Sequence, residues 1–197
     1  MIDALMSEKK KGISCAFYRF FARRNPVVVD ARIYKPHHKL SFRNHDFPQL
    51  WICTEGKYLH RVEDMVEECT RGSVVLVPPG YYHTFCVQEG CTELISVNLL
   101  YDMFLDKPAE LYTNVITNMF LPPFSKELGY TIPIFRTLSE ESLSVIRDHI
   151  SWLSLLDFQI VTGDMDLQMY RTMEAMFSLP ELALPDKYRD RAIKRKR

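Results

Sequence analysis

Two histidines carry most of the chemistry this sequence offers. His45 stands in the run Arg43-Asn44-His45-Asp46-Phe47-Pro48-Gln49-Leu50-Trp51, and His83 closes a run that passes Gly72, Pro78 and Gly80. Imidazole exchanges a proton near neutral pH, so two histidines within reach of each other can work as base and acid, or ligate a metal. Arg43 adds a permanent cation, Gln49 an amide, and Trp51 a flat apolar plate. Alternate residues on a strand share a face, so positions 43, 45, 49 and 51 point the same way unless a bulge intervenes at Pro48. We expect Arg43, His45, Gln49, Trp51, Tyr82 and His83 to form one ligand-binding set. Trp51 would supply the apolar wall and the others hydrogen bonds. The alternative for Trp51 is simple core filling.

These residues need strands to hold them. Val27–Tyr34, Gln49–Thr54, Lys57–Val62, Met65–Cys69, Ser73–Val77, His83–Val87 and Leu94–Leu99 are short runs rich in Val, Ile, Phe and Tyr. Asn, Asp, Gly and Pro punctuate them at roughly 8–12-residue spacing, which predicts a β-sandwich or barrel. Residues 101–137, broken by four prolines, read as short helices and loop. Beyond residue 138 the period becomes helical. Ser139, Glu140, Glu141 and Ser142 make a helix start, since a Ser cap and acidic side chains suit the N-terminal end. Leu143, Ile146, Ile150, Leu153 and Ile160 then stripe one face, with Trp152 expected roughly on the opposite flank. Gly163-Asp164 starts a second helix striped by Met165, Met169, Met173, Met176 and Phe177. Such stripes pack onto the chain's own sheet or onto a second copy. We name Leu143, Ile146, Ile150 and Leu153 as the candidate dimer contact. The chain divides into an N-terminal arm (1–26), a β-domain (27–137), a helical hairpin (138–180) and a basic tail (181–197).

Composition narrows the class. The 197 residues, 47% hydrophobic and 25% charged, can bury a core, which excludes a disordered chain. No apolar run approaches the roughly 18 residues that span a bilayer, and no signal-peptide pattern opens the chain. Cys15, Cys53, Cys69, Cys86 and Cys91 form no CxxC pair, so a disulfide framework or zinc ribbon is not expected. Reduced thiols in a cytoplasmic protein fit better. The net charge is zero, but residues 1–43 sum to +7, residues 44–186 to −13 and residues 187–197 to +6. A basic end on an acidic body is either a solvated terminus or a surface for nucleic acid.

The spacings resemble the paired motifs of the cupin superfamily. Gly72, Pro78, Gly80 and His83 match the second motif, and His45 and Gly56 match parts of the first. The departures concern metal ligands. Arg43 stands where the first metal-binding His would be, Gln49 replaces the Glu, and His37 replaces the leading Gly. With only His45 and His83 left and a fixed cation beside them, we expect neither metal nor cofactor.

Among cupins, the stretch from His45 to Phe85 is most similar to the N-terminal sensing domain of AraC/XylS-family transcription regulators. The resemblance implies a mainly β fold with C-terminal α structure: a cupin double-stranded β-helix, or jelly-roll barrel, followed by an antiparallel helical hairpin. It implies a small-molecule effector, a sugar or other metabolite, and a homodimer paired through the hairpin. It also implies that DNA is read only through a helix-turn-helix module these residues do not hold, and that there is no membrane partner. The rival reading is a small cupin enzyme, a sugar isomerase or dioxygenase, with a metal or histidine-based site. A third is an acidic protein that binds a partner through its helices.

Overall fold

The computed structural model describes residues 5, 14–15, 27–99, 124–125, 130–131, 134–156 and 163–183. Its strands are β1 (Ser14–Cys15), β2 (Val27–Tyr34), β3 (Asn44–His45), β4 (Gln49–Glu55), β5 (Lys57–Val62), β6 (Met65–Thr70), β7 (Ser73–Val77), β8 (His83–Val87), β9 (Thr92–Leu99), β10 (Phe124–Ser125), β11 (Tyr130–Thr131) and β12 (Phe135–Thr137). Two helices follow, α1 (Glu140–Leu156) and α2 (Gly163–Phe177).

Five strands form one antiparallel sheet in the order β12-β7-β4-β9-β2, and three form a second in the order β6-β5-β8. Among the described strands of these two sheets, only β5 and β6 are paired neighbours in sequence. The central strand β4 pairs with β7 and β9, so the sheet is assembled through crossovers. The second sheet is extended by irregular chain. Leu40 N donates to Phe85 O at 2.9 Å, and Arg43 and His83 exchange both backbone hydrogen bonds at 2.9 and 3.1 Å. Residues 37–43 thus run along the free edge of β8. β1 adds a short parallel pairing on β3.

Strand alternation gives the five-stranded sheet two faces with separate cores. Leu50 and Ile52 of β4, Val74 and Leu76 of β7, and Ile95, Val97 and Leu99 of β9 form the outer face. Trp51 and Cys53, Val75 and Val77, and Leu94 form the inner face, against Tyr58, Val62, Phe85 and Val87 of the second sheet. Because both faces are covered, β4 is buried along Gln49 to Thr54 and shows no polar alternation.

Turns at two glycines make this possible. Gly56 takes φ +83° between β4 and β5, and a Cβ there would lie 2.5 Å from Cys91 O. Gly72 takes φ +86°, with Leu138 O 3.0 Å from where its Cβ would be. Both positions need glycine for conformation and for space.

The outer face receives the helices. Ser139 caps α1, its Oγ accepting from Ser142 N at 3.2 Å. Glu181, just past α2, accepts from Ser139 N and from the Ser142 hydroxyl, both at 2.8 Å. Arg71, in the β6–β7 turn, donates to the Glu140 carboxylate at 2.8–3.2 Å, to Thr54 O at 2.7 Å and to Glu55. One side chain therefore ties a sheet turn to the first turn of α1.

The helix stripes have one destination. Leu143, Ile146, Ile150 and Leu153 are buried against the sheet within the single chain, together with Met169, Met173, Met176 and Phe177. This corrects the expected dimer contact. The apolar outer face of the five-stranded sheet needs a cover, and the chain supplies it. Trp152 is partly buried on the same core, which corrects the expected placement on the opposite flank. The face that α1 turns to solvent carries Ser144, Arg147, Asp148 and Ser151, with Val145 as its exposed apolar residue. Within 101–137 the described pieces are strands β10, β11 and β12 rather than short helices. Ile160, the Met165 side chain and the basic segment 187–197 lie outside the described residues.

Candidate functional site

The inner face of the large sheet does not meet the second sheet everywhere. Where they part lies a cavity of about 370 Å³, lined by Asp30, Arg32 and Tyr34 of β2, Gln49 and Trp51 of β4, and Ser96 and Asn98 of β9. These seven are the inward positions of three adjacent strands, picked out by the period of two. His38, Leu40, Arg43, His45 and Phe47 complete the wall. The Asp30–Arg32 ion pair at 2.8 Å is largely exposed, so it marks the mouth. Trp51, Gln49 and Asn98 are buried and form the floor.

The polar groups of that floor satisfy one another. Trp51 Nε1–H donates to Gln49 Oε1 at 3.3 Å, and Gln49 Nε2 donates to Asn98 Oδ1 at 2.6 Å. Asn98 Nδ2 then donates to Val28 O and Ser96 Oγ, both at 3.2 Å.

Beside it runs a line of histidines. His45 Nε2 lies 3.1 Å from His83 Nε2, and His83 Nδ1 lies 3.1 Å from His60 Nε2. His60 Nδ1 in turn lies 3.4 Å from the Tyr58 hydroxyl. His60, His83 and Tyr58 are fully buried and His45 nearly so. Burial, reinforced by the Arg43 charge, pushes His45 down to about 3. Burial takes His60 to about 3, and holds His83 well below its usual range with help from His60, His45 and Arg43. All three rings are therefore neutral at neutral pH. Each then carries one N–H and one bare nitrogen, so the line has a single sense from end to end. One polar atom of the line is buried without a hydrogen-bond partner: His45 Nδ1.

Four of the six expected ligand-binding residues meet at this cavity: Arg43, His45, Gln49 and Trp51. His83 does not line it but stands behind His45, joined to it ring to ring. Tyr82 is elsewhere. Its backbone N–H donates to Glu63 Oε1 at 2.7 Å and its ring packs edge-on against Phe42. The parity that brings residues 43, 45, 49 and 51 together turns position 82 away from position 83. Sequence reasoning missed His60, as well as the lining from β2 and β9.

The fold family's metal chemistry has no matching donor set here. The four positions that the resemblance to cupins assigns to metal ligands hold Arg43, His45, Gln49 and His83. The two histidines bond to each other, the Gln49 amide donates to Asn98, and Arg43 is a cation. Among the described residues, no group of three or more His, Cys, Asp or Glu is placed to hold a metal ion. A ring whose conjugate acid lies near 3, as for His45 and His60, is a weak base at neutral pH.

Two antiparallel sheets face each other across a pocket, with helices on one outer face, and the fold is a cupin fold. The family comparison is more specific: residues 26–95 match the AraC-like ligand binding domain. No curated protein matches the chain. Similar solved structures include a Photorhabdus luminescens protein (21% identity, 41% of this chain and 68% of that one, TM-score 0.37). A cupin 2 conserved barrel domain protein from Salinispora arenicola shows 17% identity over 41% of this chain and 68% of its own, with TM-score 0.38. The KdgF protein of a Halomonas species shows 14% over 41% and 77%, with TM-score 0.38.

Proposed function

We propose that the chain is the small-molecule-sensing part of an AraC-type transcription regulator, and that its effector occupies the cavity on the inner face of the large sheet. The observation that carries this is the sheet's double duty. β2, β4 and β9 line the cavity with one set of side chains and support α1 and α2 with the alternate set. A ligand that favours one packing of the inner face thereby biases the helices on the outer one. In this reading DNA is contacted through a helix-turn-helix module beyond these residues. Two copies of the chain pair through a surface other than the Leu143–Leu153 stripe, which is spent within one chain. The match to a ligand-binding family and the weak basicity of the histidines both favour sensing over catalysis.

The test is a thermal-shift screen of small metabolites, followed by hydrogen exchange. A ligand at about 100 times its Kd stabilises by about 2.7 kcal/mol, a shift of several degrees. The expected result is a ligand whose shift is lost in Trp51→Ala and whose binding slows exchange in α1 and α2. A compound consumed by the protein, with or without added divalent metal, would favour the enzyme reading instead.

A further inference from the structure

We infer that a second copy of this chain docks along the outer edge of β2, joining two five-stranded sheets into one continuous sheet in a register centred on Ala31. This rests on the reading that two copies pair, and it names the surface. It does not depend on what the cavity holds.

The edge is open. β2 ends the order β12-β7-β4-β9-β2, and among the described residues nothing pairs with its outer side. The strand is eight residues long, and all of them face β9 without a register shift, so no bulge turns the edge away. It holds no Pro or Lys, two residues that commonly keep an edge from pairing. Ala31, Arg32 and Ile33 are exposed. Ile33, at 70%, is the most exposed large apolar side chain among the described residues. Such an edge is a template for another strand.

The other outer strands do not suit a copy of themselves. β12 is three residues long. β6 exposes Glu67 and Glu68 and carries no cation, so a copy laid along it would bring like charges together.

The sequence of β2 is self-complementary. Opposed residues of an antiparallel pair share a face, so a strand paired with its own copy by a twofold axis centres on one residue facing itself. Centred on Ala31, Asp30 of each copy stands opposite Arg32 of the other, and Val29 stands opposite Ile33. One step either way sets Asp30 against Asp30 or Arg32 against Arg32, like charges directly opposed. Further shifts shorten the ladder. The faces agree with this register. Asp30 and Arg32 belong to the inner face at the cavity mouth, while Val29, and by alternation Ala31 and Ile33, belong to the outer face. Charge therefore meets charge on one face and apolar meets apolar on the other, with the small Ala31 at the axis. Within one copy Asp30 and Arg32 already lie 2.8 Å apart, and pairing turns two separate ion pairs into an alternating ring of four charges. The seam borders the mouth of each cavity, since both residues line it.

The test is sedimentation velocity of the whole chain at micromolar concentration, with circular dichroism to show that each variant is folded. We expect the natural chain to be a dimer. Asp30→Arg opposes cation to cation and Arg32→Asp opposes acid to acid, and each should weaken the dimer about tenfold or more. Mixed in equal amounts, the two variants should pair with each other, because every opposed pair is then of opposite sign. The double variant Asp30→Arg/Arg32→Asp should dimerise by itself for the same reason. If either reversal does not fold, Ile33→Lys replaces it, with several-fold weakening expected and an unchanged dimer overturning the seam. A monomeric natural chain would overturn the inference together with the pairing of copies, and leave the sensing cavity to its own ligand test. A dimer indifferent to both reversals would overturn the β2 seam and leave pairing to another surface. Single variants that dissociate and are restored neither by mixing nor by the double exchange would overturn the register.

Discussion

A buried histidine kept neutral makes folding depend on pH in a definite direction. His45 and His60 have folded values near 3, against 6.5 when unperturbed, and His83 lies low as well. Below 6.5 the unfolded chain takes up protons that the folded chain refuses. Stability is therefore full above pH 6.5 and falls as pH drops from 6.5 towards 3. Each such histidine adds up to about 1.4 kcal/mol per pH unit to the slope. Urea unfolding as a function of pH should show this decline. His60→Gln keeps an N–H near the Nε2 position and does not titrate, so its midpoint should fall less steeply over the same window. Parallel curves for the two proteins would mean that His60 is not buried neutral.

At the scale of elements, the helices are fastened to each other where α1 begins and α2 ends. The stripe of α1 is core, so Leu143→Ala or Ile146→Ala should cost about 2–5 kcal/mol of stability, measured by urea unfolding, with the sedimenting mass unchanged. A dissociated assembly at unaltered stability would restore the stripe to an interface. The junction of α1 with the end of α2 rests on Glu181. Hydrogen bonds from Ser139 hold its carboxyl down to about 2, against 4.5 for a free one. A depressed carboxyl contributes its stability above pH 4.5 and loses it as pH falls towards 2. Glu181→Gln should lower the urea midpoint at pH 7, and the gap from the natural protein should narrow at pH 3. A gap that does not change with pH would show that the charge is irrelevant to the cap.

For the whole molecule, the charge distribution sets what the chain does with DNA. The basic segment 187–197 carries +6, while residues 44–186 carry −13. Specific readout needs a braced element that sets several side chains against base edges, and a short cationic segment has no brace of its own. Residues 1–197 should bind duplex DNA weakly, without regard to sequence, and with steep loss as salt rises. Fluorescence anisotropy at physiological salt checks this. Submicromolar binding that separates one duplex from its scrambled version would show that the tail reads sequence.

Much of this protein is written locally. Seven strands run where apolar β-formers are bounded by turn residues, and β2, β5, β7 and β8 begin and end where those runs do. Ser139 starts its helix because a hydroxyl cap and two acids suit a helix N-terminus wherever the helix packs. The parity of 43, 45, 49 and 51 was enough to gather four lining residues, because alternation is a property of the strand itself. What alternation cannot supply is which strand lies beside which. His60 joins the histidine line because β5 pairs with β8, bringing His60 within 3.1 Å of a ring 23 residues away. Asp30, Arg32, Tyr34, Ser96 and Asn98 reach the cavity because β2 and β9 pair with each other and β9 with β4. The fate of the Leu143 stripe was likewise undecided in the sequence. An apolar stripe has the same residues whether its own sheet or another molecule covers it, and only the outer face of that sheet, assembled from distant strands, decides which surface claims it.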